Sequence, residues 1–501
     1  MTDKWQKLRT LLARVDNLKR ASALLGWDQQ TYMPSRGAPA RAEHLATLDK
    51  LTHELFTADE IGSLLEELTP EADQRGYDSD QASLIRVAKR DYAKARRIPP
   101  SLVEQISRTS ALGIDAWERA RAQADFSIFQ PILERIVELE IELANRLGYQ
   151  DRIYDPLLGQ FEPEMTTRQV QAIFDGLKPE LIELMKAITP RLDSIDDRCL
   201  HREYDPQKQW DFGLKVIQAF GFDSDRGRED KSAHPFTTGF SLEDVRITTR
   251  VDPRYLPSAL FGTMHECGHA LYDQGYGPEL EHTPLAWGAS FGVHESQSRL
   301  WENLVGRSRS FWRYFFPRLR EVFPNQLADQ DEGSFYRAVN KVMPSLIRVE
   351  ADDVTYNLHI MLRFEMENEL VEGKLKVADA PAAWNAKMKE YLGIVPPDDA
   401  KGVLQDIQWA GATIGYFPTY SLGYLFSVQL FDRAQQQIPD LDSHIENGDF
   451  KPLLGWLRQN VHRHGRKYTL DELARRITGE PLQSKYFVAY LKREYAEIYK
   501  I

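Results

Sequence analysis

Residues 131–148 read PILERIVELEIELANRLG, and their apolar side chains recur at helical spacing. The recurring positions, separated by four, three, four and four residues, are Ile132, Ile136, Leu139, Leu143 and Leu147. This spacing puts them on one face of an α-helix. A proline at the first turn and a glycine after the last apolar position are typical of helix boundaries. The stretch therefore predicts a helix that buries one face.

Helical periodicity recurs along most of the chain. It predicts helices, with looser boundaries, over 4–26, 85–97, 167–189, 257–274, 292–306, 352–371 and 482–499. The stretch DVRITTRV at 244–251 instead alternates apolar or β-branched residues with polar ones, which predicts a half-buried strand. We find no repeat and no linker rich in glycine, serine or proline. We therefore predict a mostly α fold with a small sheet, formed by one domain over 1–501.

Composition excludes several classes of function. The chain has 501 residues and a net charge of −12, with 42% hydrophobic and 28% charged residues. These values are typical of folded soluble proteins, and the acidic balance argues against nucleic-acid binding. We find no apolar run long enough for a membrane span or a signal peptide. The chain has two cysteines, which favours a reducing, cytoplasmic location.

Residues 265–269 read His-Glu-Cys-Gly-His and lie within the predicted helix 257–274. Histidines at i and i+4 share one helix face, so both imidazoles of His265 and His269 can reach one metal ion. Glu266 is then placed to act as a general base on a metal-bound water. Cys267 points away from the histidines and is predicted to lie in the core. Gly268, which is unfavourable within a helix, suggests close approach by another element.

A catalytic zinc ion needs a third protein ligand and an open position for water. Glu295 is our candidate, in the stretch HESQ at 294–297 on the predicted helix 292–306. The alternative is an ordinary ion pair with Arg299, four residues further on. The preceding histidine motif favours the ligand. Two histidines and a carboxylate suit Zn²⁺, although Co²⁺ and Mn²⁺ also accept them.

Nine short motifs carry a resemblance to a known family. In chain order they are WDQQTYMP (27–34), HPF (234–236), DVRIT (244–248), HECGH (265–269), HESQ (294–297), IRVEAD (347–352), GVLQDIQW (402–409), GYFPTY (415–420) and TGEPL (478–482). Through them the chain resembles the carboxypeptidase Taq family of metallocarboxypeptidases over nearly its whole length. One position departs from the family, since Gln408 stands where a histidine is expected.

The resemblance implies that His265, His269 and Glu295 bind the metal and that Glu266 activates water. These are the same residues that the motif spacing and its chemistry indicate. It implies a large helical domain split by a deep groove with a small sheet along it, with the active-site elements concentrated in 234–424. It also implies a homodimer that removes single residues from peptide C-termini with broad specificity. Gln408 can donate and accept hydrogen bonds but cannot carry a proton charge, so acid–base or metal chemistry there is in doubt.

Four further residues are candidates for substrate contact or catalysis. Arg348 is a candidate to bind a substrate's terminal carboxylate, since a guanidinium binds carboxylates bidentately. The alternative is that Arg348 forms a structural ion pair. Tyr420 can stabilise a developing oxyanion, or it lines the wall of the site. His234, in a loop before the strand, and Arg246, on the strand, are weaker candidates for substrate binding.

Other assignments stay open at this point. Asp273 and Asp352 can each orient a ligand histidine from behind, and the sequence does not choose between them. Asp406 is assigned no role. Besides a carboxypeptidase, the residues allow a metallo-oligopeptidase that cuts internally, or a non-catalytic helical peptide-binding protein with a structural metal. A peptide with a C-terminal amide separates the first two, and Glu266 argues against the last.

Overall fold

Helices form most of the structure, which is a computed structural model that describes residues 3–501. Helices account for 69% of the structure. Its α-helices are α1 (Asp3–Thr31), α2 (Ala38–Phe56), α3 (Asp59–Asp73), α4 (Asp80–Arg97), α5 (Pro100–Gln123), α6 (Gln130–Leu147), α7 (Asp155–Phe161), α8 (Thr167–Ile188), α9 (Pro206–Phe220), α10 (Leu256–Asp273), α11 (Phe291–Arg299), α12 (Arg309–Val322), α13 (Glu332–Val339), α14 (Tyr356–Val371), α15 (Ala380–Leu392), α16 (Phe417–Gln437), α17 (Leu441–Glu446), α18 (Lys451–Asn460), α19 (Leu470–Thr478) and α20 (Ser484–Tyr499). The predicted mostly α fold is confirmed. Among residues 3–501, every helix is too short or too polar to cross a membrane.

A three-stranded sheet precedes α10 in the chain. It consists of β1 (Gly227–Lys231), β2 (Thr237–Ser241) and β3 (Asp244–Thr249). The central strand β3 pairs parallel with β1 and antiparallel with β2. It is the strand predicted at 244–251, and its Val245 and Ile247 are fully buried. The sequences of β1 (GREDK) and β2 (TTGFS) lack apolar alternation, so periodicity does not reveal these strands.

Helix α6 is the helix predicted from residues 131–148. A proline occupies its first turn and Gly148 follows its end at φ +79°. Ile136, Leu139, Leu143 and Leu147 are buried, as their spacing predicts, because this face packs against the core. Glu140, which is charged in water, is also buried in this helix.

The chain divides into two compact units, each assembled from three separated stretches. The first unit comprises the residues up to Arg96, then Asp196–Val339 and Leu430–Gly479. The second comprises Arg97–Ile195, Asn340–Gln429 and Glu480–Ile501. The assignment of 1–501 to one domain, and the groove that the resemblance implies, stay predictions.

The buried carboxyl groups of Glu140 and Glu367 lie in the second unit. Burial, and then the charge of Glu367, raise the pKa of Glu140 to about 8. Burial also raises the pKa of Glu367 to about 7. The Glu367 carboxylate accepts hydrogen bonds from the Tyr154 hydroxyl at 2.5 Å, Trp409 Nε1 at 3.0 Å and the Gly415 backbone N–H at 3.1 Å. Hydrogen-bond donors therefore partly stabilise the buried charge of Glu367, whereas ionising Glu140 costs more free energy.

We expect Glu140→Gln to stabilise the fold more at alkaline than at acidic pH. A carboxyl group whose pKa is raised by folding binds more protons in the folded chain, so stability falls as the pH rises from about 4.5 to about 8. At about 1.4 kcal/mol per pKa unit, the gain in the free energy of unfolding should be roughly 1–3 kcal/mol larger at pH 8 than at pH 5. Urea denaturation at both pH values measures it. Glu134→Gln, at an exposed position of the same helix, should show no such difference.

Candidate active site

Helix α10 carries the predicted motif HECGH, whose residues are divided between a buried face and a partly exposed face of the helix. Leu260, Met264, Cys267 and Leu271 are buried, which confirms the core position of Cys267. The side chains of His265 and His269 keep 21% and 16% of their surface exposed. The two imidazoles stand with ring centroids 4.9 Å apart, so they face the same partly open space.

The approach of α11 to α10 depends on Gly268. A Cβ at Gly268 would lie 2.6 Å from the carbonyl oxygen of Gln297 and 2.6 Å from Cα of Ser298. Real side chains do not tolerate such distances to backbone atoms. The close approach predicted at Gly268 is therefore made by the helix that carries Glu295.

Glu295 divides its two carboxylate oxygens between different partners. Oε1 accepts a hydrogen bond from Nε of Arg299 at 2.8 Å. Oε2 lies 3.6 Å from Nε2 of His265 and 3.7 Å from Nε2 of His269. The ion pair with Arg299 and the orientation toward the histidines therefore coexist, because Arg299 fixes the carboxylate and leaves one oxygen for a metal.

These three side chains fit a single divalent ion. One donor atom from each of His265, His269 and Glu295 lies within 4.8 Å of the others. Ligand atoms about 2.1 Å from a tetrahedral zinc ion stand about 3.4 Å apart, close to the separations from Glu295 Oε2. Burial, and then the charges of His294 and His265, lower the pKa of His269 well below its ordinary value, so this imidazole is neutral, the form that binds metals. Burial alone would lower the pKa of His265, but Glu295 and Glu302 raise it to about 9, so a metal would displace a proton from this imidazole.

A carboxylate orients His265 from behind. Nδ1 of His265 lies 2.9 Å from Oε2 of Glu302, in the π-helical turn Leu300–Val305 that continues α11. Burial alone would raise the pKa of Glu302, but the hydrogen bond with His265 and the charges of Arg299 and Arg307 lower it to about 2. Glu302 is thus ionised, and an acceptor at Nδ1 leaves Nε2 free to bind a metal. Sequence reasoning missed Glu302, although a charged residue among Leu300, Trp301 and Leu304 was a signal.

His269 is oriented by a second histidine rather than directly by a carboxylate. Its Nδ1 lies 2.6 Å from Nδ1 of His294, and Nε2 of His294 lies 3.0 Å from Oδ1 of Asp273. If Nε2 of His269 binds the metal, its Nδ1–H donates to His294, and Nε2–H of His294 donates to Asp273. Of the two aspartates left open by the sequence, Asp273 joins this chain of hydrogen bonds.

Asp352 has a different role from the orienting one considered for it. Its carboxylate accepts hydrogen bonds from the backbone N–H groups of Met343 at 3.0 Å, Val354 at 2.9 Å and Thr355 at 3.1 Å. All of these residues lie in the second unit. Asp352 therefore organises the turn that leads into α14, and Glu302 and His294 are the residues that contact the Nδ1 atoms of His265 and His269.

Glu266 is held by the sheet. The hydroxyl of Thr237, at the start of β2, donates to Oε2 of Glu266 at 2.6 Å. Burial raises the pKa of Glu266, and His265 and the Thr237 hydroxyl oppose this shift. A carboxylate with a raised pKa is a better general base near neutral pH. Thr237 was missed because no periodic pattern marks β2.

The two predicted substrate residues in this unit differ in their surroundings. Arg246 forms a bidentate ion pair with Asp244, at 2.9 and 2.8 Å, and its guanidinium stacks on the Trp27 ring at 4.3 Å. His234 is exposed in the loop between β1 and β2. Arg246 is therefore paired with its near neighbour Asp244, and substrate contact by Arg246 or His234 stays a prediction.

The second unit contains the other two predicted residues. Arg348 is buried, and its Nε donates to Oδ1 of Asp406 at 2.9 Å. Asp406, to which the sequence assigned no role, also accepts from Nε of Arg363 at 2.7 Å. The Arg348 guanidinium lies over the Tyr420 ring at 4.8 Å. Arg348 is thus paired with Asp406, and not with its near neighbours in sequence.

Gln408 contacts Tyr420 directly. Its Nε2 donates to the Tyr420 hydroxyl at 3.3 Å. An amide donor keeps this bond at any pH, whereas an imidazole would change its charge near neutrality. At this departure from the family motif, the chain therefore has a contact to Tyr420 and no titratable group.

Gly268→Ala should separate α10 from α11 and weaken the site. Because the new Cβ would meet Gln297 and Ser298 backbone atoms at 2.6 Å, we expect a loss of about 1–3 kcal/mol in stability. Metal affinity should fall at least about tenfold as Glu295 moves from the histidines. Chelator competition and urea denaturation measure these effects. Gly455→Ala in α18, where a Cβ meets nothing within 4 Å, should leave the metal affinity unchanged.

Comparisons with known proteins agree with this geometry. The sequence pattern of carboxypeptidase Taq (M32) metallopeptidases matches residues 7–495. Carboxypeptidase 1 of Bacillus subtilis is 38% identical over 489 residues, covering 98% of this chain and 97% of that protein. Thermostable carboxypeptidase 1 of Thermus thermophilus is 40% identical over 504 residues, covering 99% of each. The M32 carboxypeptidase structure from Deinococcus radiodurans R1 has a TM-score of 0.96 at 40% identity and covers 100% of both chains.

A helix-borne histidine pair, a carboxylate directed toward both histidines and an adjacent buried glutamate are typical of a metallopeptidase. The chain belongs to the carboxypeptidase Taq (M32) family of metallopeptidases. The predicted family, fold class, enzyme class and function as a metallocarboxypeptidase are thereby confirmed. Membership implies a divalent metal and peptide substrates.

Proposed function

We propose that His265, His269 and Glu295 hold one divalent ion, preferably Zn²⁺, and that Glu266 is the general base for hydrolysis of the last peptide bond. The observation that carries this proposal is the convergence of the three donor atoms within 4.8 Å. When bound, the ion supplies Lewis acidity and lowers the pKa of a water. Glu266, next to a ligand in sequence and held by Thr237, takes the proton of the attacking water and returns it to the leaving amine nitrogen.

Recognition of the chain end is assigned to Arg348, and stabilisation of the developing oxyanion to Tyr420. An exopeptidase needs a group that distinguishes a terminal carboxylate from an internal peptide, and a buried guanidinium provides it. The Tyr420 hydroxyl, which Gln408 contacts, is proposed to donate to the developing oxyanion. His234 and Arg246 are proposed to contact the substrate further from the scissile bond. We propose broad specificity, with single residues released in turn.

The test compares one unblocked peptide with its C-terminal amide. Metal-stripped protein is incubated with each, with and without Zn²⁺, Co²⁺ or Mn²⁺, and the products are identified by mass spectrometry. We expect a metal-dependent ladder of single-residue losses from the free peptide and none from the amide. Internal fragments from both peptides would instead show an oligopeptidase, and binding without any product would favour the non-catalytic alternative.

Assembly and location are proposed on separate grounds. We propose a homodimer, by analogy with the family, and light scattering coupled to size exclusion measures the mass. We propose a cytoplasmic location because Cys199 and Cys267 are both free and buried thiols, which suit a reducing compartment.

A further inference from the structure

A buried carboxylate joins two buried arginines in the second unit. Asp406 accepts from Nε of Arg348 at 2.9 Å through Oδ1, and from Nε of Arg363 at 2.7 Å through Oδ2. Arg348 is 6% exposed and Arg363 is fully buried. Asp406 thus fixes Arg348 through Nε, and Arg363 through both Nε and Nη2, the latter at 2.5 Å.

This triad carries an unbalanced charge. Burial alone would raise the pKa of Asp406, but the two arginines lower it to about 2, so it is ionised. Burial, and then the charge of Arg363, lower the pKa of the adjacent His359 to about 3, so this imidazole is neutral. Arg348 and Arg363 together exceed Asp406 by one positive charge. Glu367, whose pKa burial raises to about 7 against the effect of Arg363, offsets this charge only in part near neutral pH. Because a buried charge with an incomplete counterion is costly, the triad favours the binding of an anion.

The geometry leaves one edge of Arg348 for that anion. Its Nε is engaged by Asp406, and its Nη1 donates to the Tyr356 hydroxyl at 3.3 Å. Within residues 3–501, no group accepts a hydrogen bond from Nη2 of Arg348. Since Tyr420 and Phe417 lie against the guanidinium, at 4.8 and 5.7 Å from their ring centroids, its plane is fixed. A carboxylate other than that of Asp406 would therefore bind Arg348 at the edge formed by its Nη groups.

We propose that Asp406 and Arg363 are positioning residues for the subsite that binds the substrate's terminal carboxylate. Asp406 holds Arg348 by Nε and directs its Nη edge to the substrate. Arg363 touches no substrate atom, and it keeps Asp406 in place and supplies the excess positive charge. The inference rests on the proposed role of Arg348 and extends it to two residues further from the substrate.

A purely structural ion network is the alternative. Arg363 also donates to the carbonyl oxygen of His359 at 2.6 Å, so the triad ties the segment around Asp406 to α14. A network with only this role would affect stability, and it would alter the binding of acids and amides equally. Selectivity for the carboxylate therefore distinguishes the two.

The main test uses Arg363→Met and Arg363→Lys in the metal-loaded protein. The probes are N-acetylphenylalanine and its amide as competitive ligands, with a free peptide as substrate. We expect Arg363→Met to raise the inhibition constant of the acid and the KM of the peptide about tenfold, with kcat within about twofold of the wild type. The amide should be unaffected, and Arg363→Lys should recover most of the loss because it restores the charge.

A matched control and a second variant keep the test decisive. Arg152→Met breaks the ion pair with Glu372 in the same unit and should leave both constants unchanged. If circular dichroism shows that Arg363→Met is unfolded, Asp406→Asn is measured in its place. It should weaken acid binding even though it makes the cluster more positive, because Arg348 loses its orientation.

Two results would overturn the inference. One is an inhibition constant for the acid that stays at the wild-type value in the folded variant. The other is an equal loss for acid and amide. Either leaves the proposed function standing if the wild type trims free peptides and refuses amides. A wild type that fails to trim free peptides refutes the proposed function itself.

Discussion

Glu266→Gln should lower kcat by about 10³- to 10⁴-fold while the protein keeps its metal. The substitution preserves the shape of the side chain, and an amide oxygen still accepts the hydrogen bond that Thr237 donates to Oε2 at 2.6 Å. It removes the group that takes a proton from the attacking water. The proposed metal ligands His265, His269 and Glu295 are unaltered, so the loss should appear in the chemical step.

Steady-state kinetics and elemental analysis of the same preparation measure this effect. KM should change by less than about threefold, because Glu266 acts on the water and not on peptide binding. Glu243→Gln, at an exposed carboxylate, is a control for the loss of one negative charge in the same unit. If Glu266→Gln kept its metal and more than a tenth of the activity, another group would have to be the base.

The part of the site that is local in sequence could be predicted. His265, His269 and Glu266 lie within one helical turn, so helical geometry alone places them together. Glu295 required a second inference, because the chain makes a turn between α10 and α11. Gly268 was the one signal of that helix contact, and it indicated an approach without identifying the partner.

The supporting residues were out of reach for physical reasons. Thr237 lies on a short strand without alternation, and its contact with Glu266 joins residues 29 positions apart. Asp406 lies in a segment without helical periodicity. Arg363 lies on α14, which is buried nearly all round and therefore has no polar face to mark an exception. Charged side chains in such surroundings are recognised only once their partners are known.

Arg348→Met should lower kcat/KM for a free peptide by about 10²- to 10³-fold and remove the preference for a free carboxylate. The methionine fills a buried position and leaves Asp406 paired with Arg363 at 2.7 Å, so the variant should fold. The residual hydrolysis of the amide, measured at a much higher enzyme concentration, should stay at the wild-type level, since the amide never used the charge. Arg119→Met, at an exposed position of the same unit, should behave like the wild type.

The ratio of kcat/KM for the acid to that for the amide is the informative measurement. A general defect in folding or metal binding lowers kcat/KM for both the acid and the amide, whereas loss of carboxylate recognition lowers only the value for the acid. If Arg348→Met kept the wild-type ratio, the chain end would have to be recognised elsewhere, and Arg246, already paired with Asp244, would be the next arginine to replace. With the ratio near one in Arg348→Met and intermediate in Arg363→Met, both the buried charge and its orientation would contribute to exopeptidase specificity.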